Sequence, residues 1–122
     1  MELSGKCKKL RVYVEEQLKH GHVPLYHAIL EVLLKEGIAG ATVFKGIEGF
    51  GSSHHIHSPR VIEMTEKLPM VVEAVENPQK LLKALNLIEE ILPVHCLVTV
   101  ENVEVLHYYH PDGKHSKTKS LE

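Results

Sequence analysis

Residues 45–60, KGIEGFGSSHHIHSPR, gather the side chains of this chain best equipped for chemistry. Gly46, Gly49 and Gly51 fall within six residues, and His54, His55 and His57 within four. Arg60, one of two arginines in the chain, closes the run. Such a segment can cradle an anion, ligate a metal, support a nucleophile or turn the backbone.

The glycine spacing matches neither common phosphate loop. No G-K-[ST] follows, and the order of glycines is not that of the dinucleotide fingerprint, which opens a helix. These glycines end a strand and enter a polar loop. They offer close approach of backbone N–H groups to an anion and freedom of φ, or equally a strand that bends at a bulge. For His54, His55 and His57, zinc, nickel or copper would be the fitting ions, but a site needs three or four ligands with outer support. Glu63 and Glu66 are the nearest carboxylates in sequence, and another subunit is the other source. Catalysis has the least support. Ser52 and Ser53 adjoin histidines, yet neighbours on a loop rarely place nucleophile and base at bonding distance, and no carboxylate is set to orient the base.

The elements that position this segment follow from periodicity. Leu10, Val12 and Val14 alternate with Arg11, Tyr13 and Glu15, a half-buried strand. Residues 20–37 read as a helix with Pro24 in its first turn, a stripe of Leu25, Ile29, Val32 and Leu33, and Gly37 as its stop. Residues 40–51 give a second strand, with Val43 and Ile47 on one side and Thr42 and Phe44 on the other. Pro69 opens a third strand through Glu76. Asn77 and Pro78 cap a second helix carrying Leu81, Leu85, Ile88 and Leu92, which Pro93 ends. The last strand, residues 94–109, bends at Glu101-Asn102.

The order is two βαβ halves, so the expected architecture is α+β, a ferredoxin-like βαββαβ. Its four-stranded antiparallel sheet carries both helices on one face. MVVEAV and HCLVTV are apolar on both faces, so the side away from the helices needs a cover, and self-association supplies one. Residues 1–110 form one domain and 111–122 a mobile tail.

Composition narrows the function classes. The chain has 122 residues, 43% apolar and 25% charged, with a formal net charge of -2. It lacks the basic surface of a nucleic-acid binder, although ten histidines move it toward neutrality as they protonate. No run approaches the ~18 apolar residues of a membrane span, and the N-terminus lacks the apolar stretch of an export signal, so a cytosolic chain with reduced thiols is expected. Cys7 falls in a polar lead-in and is expected to be exposed; Cys96 falls in an apolar strand as packing. Two other functions of this architecture fail on their residues. The last strand lacks the aromatics of an RNA-recognition module, and residues 15–26 lack the arginine an acylphosphatase needs.

GATVFKGIEGFG, residues 40–51, resembles the PII signal-transduction proteins, whose G-x-T-V strand runs into a G-F-G turn that opens the long T-loop. Gly40, Thr42 and Val43 match the strand start, and Gly49-Phe50-Gly51 the turn. PMVVEAVENPQKLLKAL is similar to the third strand and second helix of that superfamily. With Lys45-Gly46-Ile47-Glu48-Gly49-Phe50-Gly51 and His57-Ser58-Pro59-Arg60, the chain from about Leu10 to Tyr109 looks like a member of the uncharacterised PII-like family.

The resemblance implies a homotrimer, a T-loop over residues 51–67 that docks on a target such as a transporter or enzyme, and adenine nucleotides in clefts between subunits. It implies nucleotide contacts from Thr42, Lys45, Gly46, Gly49, Phe50, Gly51 and Arg60. The departures are as informative. The strand is one residue longer, Ser52-Ser53 replace Arg-Gln, and no tyrosine lies between Gly51 and Arg60 for uridylylation. The phosphate-wrapping T-G-x-x-G-D-G-K loop is replaced by Ile91-Leu92-Pro93-Val94, and the paired arginines of the last strand are absent. Lys45 and Arg60 remain, with Arg11 more distant. The expected ligand is therefore a less charged nucleotide: ADP, AMP or a cyclic nucleotide. The alternative is a zinc-binding trimer of the CutA kind built on His54, His55 and His57.

Overall fold

The structure, a computed structural model, describes residues 3–51, 68–93 and 96–108. Its elements run β1 (Gly5–Glu15), β2 (Lys19–His20), β3 (Val23–Pro24), α1 (Leu25–Lys35), β4 (Ala41–Lys45), β5 (Pro69–Glu76), α2 (Pro78–Glu89) and β6 (Leu97–Val105). Four strands form an antiparallel sheet in the order β4-β5-β1-β6, the ferredoxin-like arrangement expected from two βαβ halves.

Alternation in β1 and β5 builds the core. Leu10 pairs with Ala74, Val12 with Val72 and Val14 with Met70, and all six are buried. On them pack Leu25, Ile29 and Leu33 of α1 and Leu81, Ala84 and Ile88 of α2, so both helices share one face. Full burial of such an aliphatic side chain contributes roughly 1.5–3 kcal/mol.

Local signals fix the helix ends. Asn77 caps α2, its side chain accepting from the Lys80 N–H at 3.0 Å, with Pro78 at the first helical position. At the end of α1, Gly37 takes φ 72°, its N–H reaches the Leu34 carbonyl, and the Ile38 N–H reaches that of Leu33 at 3.1 Å. This is a Schellman stop, which a residue with a Cβ makes poorly.

Four expectations are corrected. The helix expected over 20–37 begins only at Leu25. Before it lies a small hairpin, β2 with β3, turning at Gly21 with φ 62°, and the Leu25 N–H is bonded to the Leu18 carbonyl at 2.8 Å. Pro24 locks its own φ for a strand end as readily as for a helix start, and here it stands just outside the helix. Strand β4 stops at Lys45, leaving Ile47 beyond it and 80% exposed. Strand β6 does not bend at Glu101-Asn102, because pairing with β1 runs unbroken from Tyr13↔Leu97 to Gly5↔Val105. Cys7 is buried rather than exposed, since β1 begins at Gly5 and carries it into the sheet; burial first, then the Glu76 charge, pushes its thiol pKa up.

Among the described residues, no helix packs on the other face of the sheet. Two rows of side chains cross it. In one, Phe44, Val71, Tyr13 and Leu97 stand opposite one another across all four strands, with Phe44 and Leu97 exposed. In the next, Thr42, Glu73, Arg11 and Thr99 do the same, and Arg11 Nε donates to Glu73 Oε2 at 2.8 Å. This hydrogen bond to Glu73 is the main reason the Arg11 pKa is raised.

Candidate functional site

Lys45 and the glycines that follow it lie at the far end of β4, where it meets the end of β1 and the start of β5. The Gly46 N–H donates to the Pro69 carbonyl at 2.7 Å, and the Glu16 N–H to that of Leu68 at 2.9 Å. Lys45 Nζ lies 3.0 Å from Glu16 Oε2. One backbone bond and one ion pair thus tie Glu16, just past β1, to residues on either side of 52–67, and a second backbone bond joins those two sides to each other.

The glycines of this stem have separable roles. A Cβ on Gly46 would stand 2.5 Å from Pro69 Cγ and 3.2 Å from the Pro69 carbonyl oxygen. A Cβ on Gly49 would stand 3.1 Å from the same Cγ, while one on Gly51 would meet nothing within 4 Å. Gly46 and Gly49 let the chain pass close over the proline ring, a steric role. The positive-φ glycines of the described residues are Gly5, Gly21 and Gly37, so none of the three loop glycines is there for left-handed backbone. Phe50 is exposed beside them, and Thr42 lies further back along β4 on the helix-free face, opposite Glu73.

Lys45, Gly46, Gly49, Phe50 and Gly51 are brought together; Thr42 shares their strand. Arg60 and His54, His55 and His57 lie outside the described residues. Among the described residues, no group of three or more His, Cys, Asp or Glu side chains could hold a metal ion. His27, on α1, has its Nε2 2.8 Å from Glu31 Oε1, one turn along the helix. Arg11, the distant cation, is occupied by Glu73 and lies 4.0 Å from Glu101.

Three residues with defined polar or packing roles were not singled out from the sequence as parts of a site, two at the stem and one away from it. Glu16 holds Lys45; Pro69 shapes the glycine stem; Glu76, 1% exposed, accepts from the N–H groups of Ala39 and Asn77 at 2.8 and 2.9 Å. Glu76 lies at the opposite end of the sheet, where Tyr108 also donates to the Ala39 carbonyl at 3.1 Å. At that end an apolar groove of about 290 Å³ runs between α1 and β4, past Leu30, Leu34, Ile38 and Gly40. It includes none of the nominated ligand residues.

A four-stranded antiparallel sheet with both described helices on one face, and a glycine stem following β4, define a ferredoxin-like α+β protein. The chain belongs to the DUF190 family (Uncharacterized ACR, COG1993), which matches residues 7–105. A UPF0166 protein of Aquifex aeolicus is 35% identical over 103 residues, covering 84% of this chain and 95% of that protein. A second UPF0166 protein, from Methanocaldococcus jannaschii, is 29% identical over 100 residues, covering 82% and 92%. Among solved structures, a PII-like signaling protein of Thermus thermophilus superposes with a TM-score of 0.61 at 22% identity, covering 86% of this chain and 93% of that one. The CPII protein of Thiomonas intermedia, bound to ADP and bicarbonate, gives 0.60 at 19%, covering 82% and 88%. GlnK of B. subtilis in complex with ATP gives 0.51 at 10%, covering 93% and 94%. At these identities the structural likeness establishes the fold. No helix among the described residues is long and apolar enough to cross a membrane.

Proposed function

We propose that the protein is a regulatory binding protein, not an enzyme: a cytosolic homotrimer that takes a small adenine nucleotide in clefts between subunits and signals through residues 51–67 to a target protein. The nucleotide contacts are Thr42, Lys45, Gly46, Gly49, Phe50, Gly51 and Arg60. The observation that carries this reading is the position of the Lys45–Gly51 stem. It closes the same strand that contributes Phe44 to the apolar row on the helix-free face, so a second copy covering that row would bring its own edge toward the stem. Support also comes from neighbours of the same fold, for CPII is described with ADP and with AMP, and GlnK with ATP.

The charge inventory selects among nucleotides. Arg11 is committed to Glu73 and Lys45 to Glu16, so few cations stand ready for a full triphosphate. ADP, AMP or a cyclic nucleotide fits this supply. Arg60 brings a planar fork that matches phosphate geometry as lysine does not. No observation among the described residues favours the zinc alternative on His54, His55 and His57.

Calorimetric titration with ATP, ADP, AMP and cyclic AMP, and then with zinc, tests the proposal. The expected outcome is micromolar nucleotide binding that Arg60→Ala weakens at least tenfold, about 1.4 kcal/mol. No nucleotide heat, with stoichiometric zinc binding lost on replacing His54, His55 and His57, would assign the protein to the metal-binding reading instead.

A further inference from the structure

Lys45 is the described cation nearest the glycine stem, and a carboxylate already holds it. Its Nζ lies 3.0 Å from Glu16 Oε2. The two side chains are unequal partners. Glu16 is about three-quarters buried, at 24% exposure, and its own N–H is fixed to the Leu68 carbonyl at 2.9 Å. Lys45 is 53% exposed and has a long stem of rotatable bonds. A ligand phosphate arriving at the stem therefore meets an exposed lysine that can swing toward it and a less exposed glutamate whose main chain is anchored.

We propose that Glu16 is an internal competitor for the phosphate and sets the charge preference of the site. The inference rests on the reading of Lys45 as a phosphate contact. Two effects act in one direction. Lys45 must give up its bond to Glu16 before it can serve the ligand, and the Glu16 charge left behind repels the incoming anion. The first effect is the same for every phosphorylated ligand. The second grows with ligand charge, so Glu16 discriminates most strongly against ATP, less against ADP, least against AMP, and not at all against adenosine. A partly exposed pair has a modest strength, which suits a competitor that a ligand must displace.

The test is Glu16→Gln, which removes the charge, preserves the shape and keeps the main-chain bond to Leu68. Affinity for ADP should rise about 3–10-fold, for ATP by more than for ADP, and for adenosine not at all; the gain should shrink at high salt. In a Lys45→Ala background the gain for AMP should largely disappear, since no lysine remains to be released. Glu16→Thr, shorter but equally uncharged, should reproduce the order of the ligands and guards against a folding defect peculiar to glutamine. Wild-type affinity for ADP and ATP in both variants would overturn the inference, as would an equal gain for adenosine, which would mark a structural effect. A wild-type protein and Glu16→Gln variant that bind no adenine nucleotide at all would instead remove the functional reading and this inference with it.

Discussion

The two faces of the sheet are built from the same strands and differ in what covers them. Along β5, Met70, Val72, Ala74 and Glu76 point to the buried side and Val71, Glu73 and Val75 to the other, in strict alternation. The first set is sealed by α1 and α2. The second continues into Phe44, Tyr13 and Leu97, and no element of the described chain lies over it. A face that served only as solvent boundary would need no row of four large apolar side chains in register. On the proposed reading the faces have different jobs: one makes the subunit, the other makes the assembly.

Substitutions on each side should separate those jobs. The largest effect belongs to the covered face. Leu10→Ala removes a fully buried side chain and should lower stability by about 2–5 kcal/mol in urea unfolding at constant chain concentration. Next comes the stem. Gly46→Ala forces a methyl group against Pro69 and should cost about 1–3 kcal/mol, whereas Gly51→Ala, with open space around it, should stay within about 0.5 kcal/mol by the same assay. On the open face, Arg11→Ala breaks a partly exposed ion pair and should leave the stability of the isolated subunit close to that of the wild type. A loss as large as that of Leu10→Ala in a monomeric background would erase the distinction between the faces.

The smallest effect is that of pH on the thiols. Cys7 and Cys96 both have pKa values raised above 9.0, in each case chiefly by burial. The unfolded chain ionises them first, so their contribution to stability is complete below about pH 9 and is lost as pH rises through the folded-state values. Thermal unfolding between pH 7 and 10 should show a midpoint unaffected by these groups at neutral pH and falling above pH 9, and replacing both cysteines with alanine should flatten the fall.

The covered face was legible in the sequence because it depends on local period. Alternation of Leu10, Val12 and Val14, the Asn77-Pro78 start and the Gly37 stop each specify an element within a few residues. The open face was legible only as an excess of apolar character. Its row joins four strands separated by up to 84 positions, from Tyr13 to Leu97, and emerges only once register is known. The hairpin before α1 was missed because Pro24 carries the same fixed φ in either structure, and the burial of Cys7 because lysines flank it. At the stem, the glycines were legible as a special place, but not their reason, since Pro69 lies 23 positions beyond Gly46. Glu16 had no local signature at all: nothing in VYVEEQL distinguishes the glutamate that meets Lys45 from its neighbour.

Tyr13→Asp tests whether a nucleotide is held where one subunit's stem meets another's open face. A charge placed in the middle of the apolar row should weaken association on the order of a hundredfold while sparing the core. Sedimentation and calorimetry on the same samples would then decide. The expected result is a wild-type trimer binding one ADP per chain, and a folded Tyr13→Asp monomer whose ADP affinity is at least tenfold lower. A monomeric wild type, or a monomeric variant that binds ADP as tightly as the trimer, would contradict it.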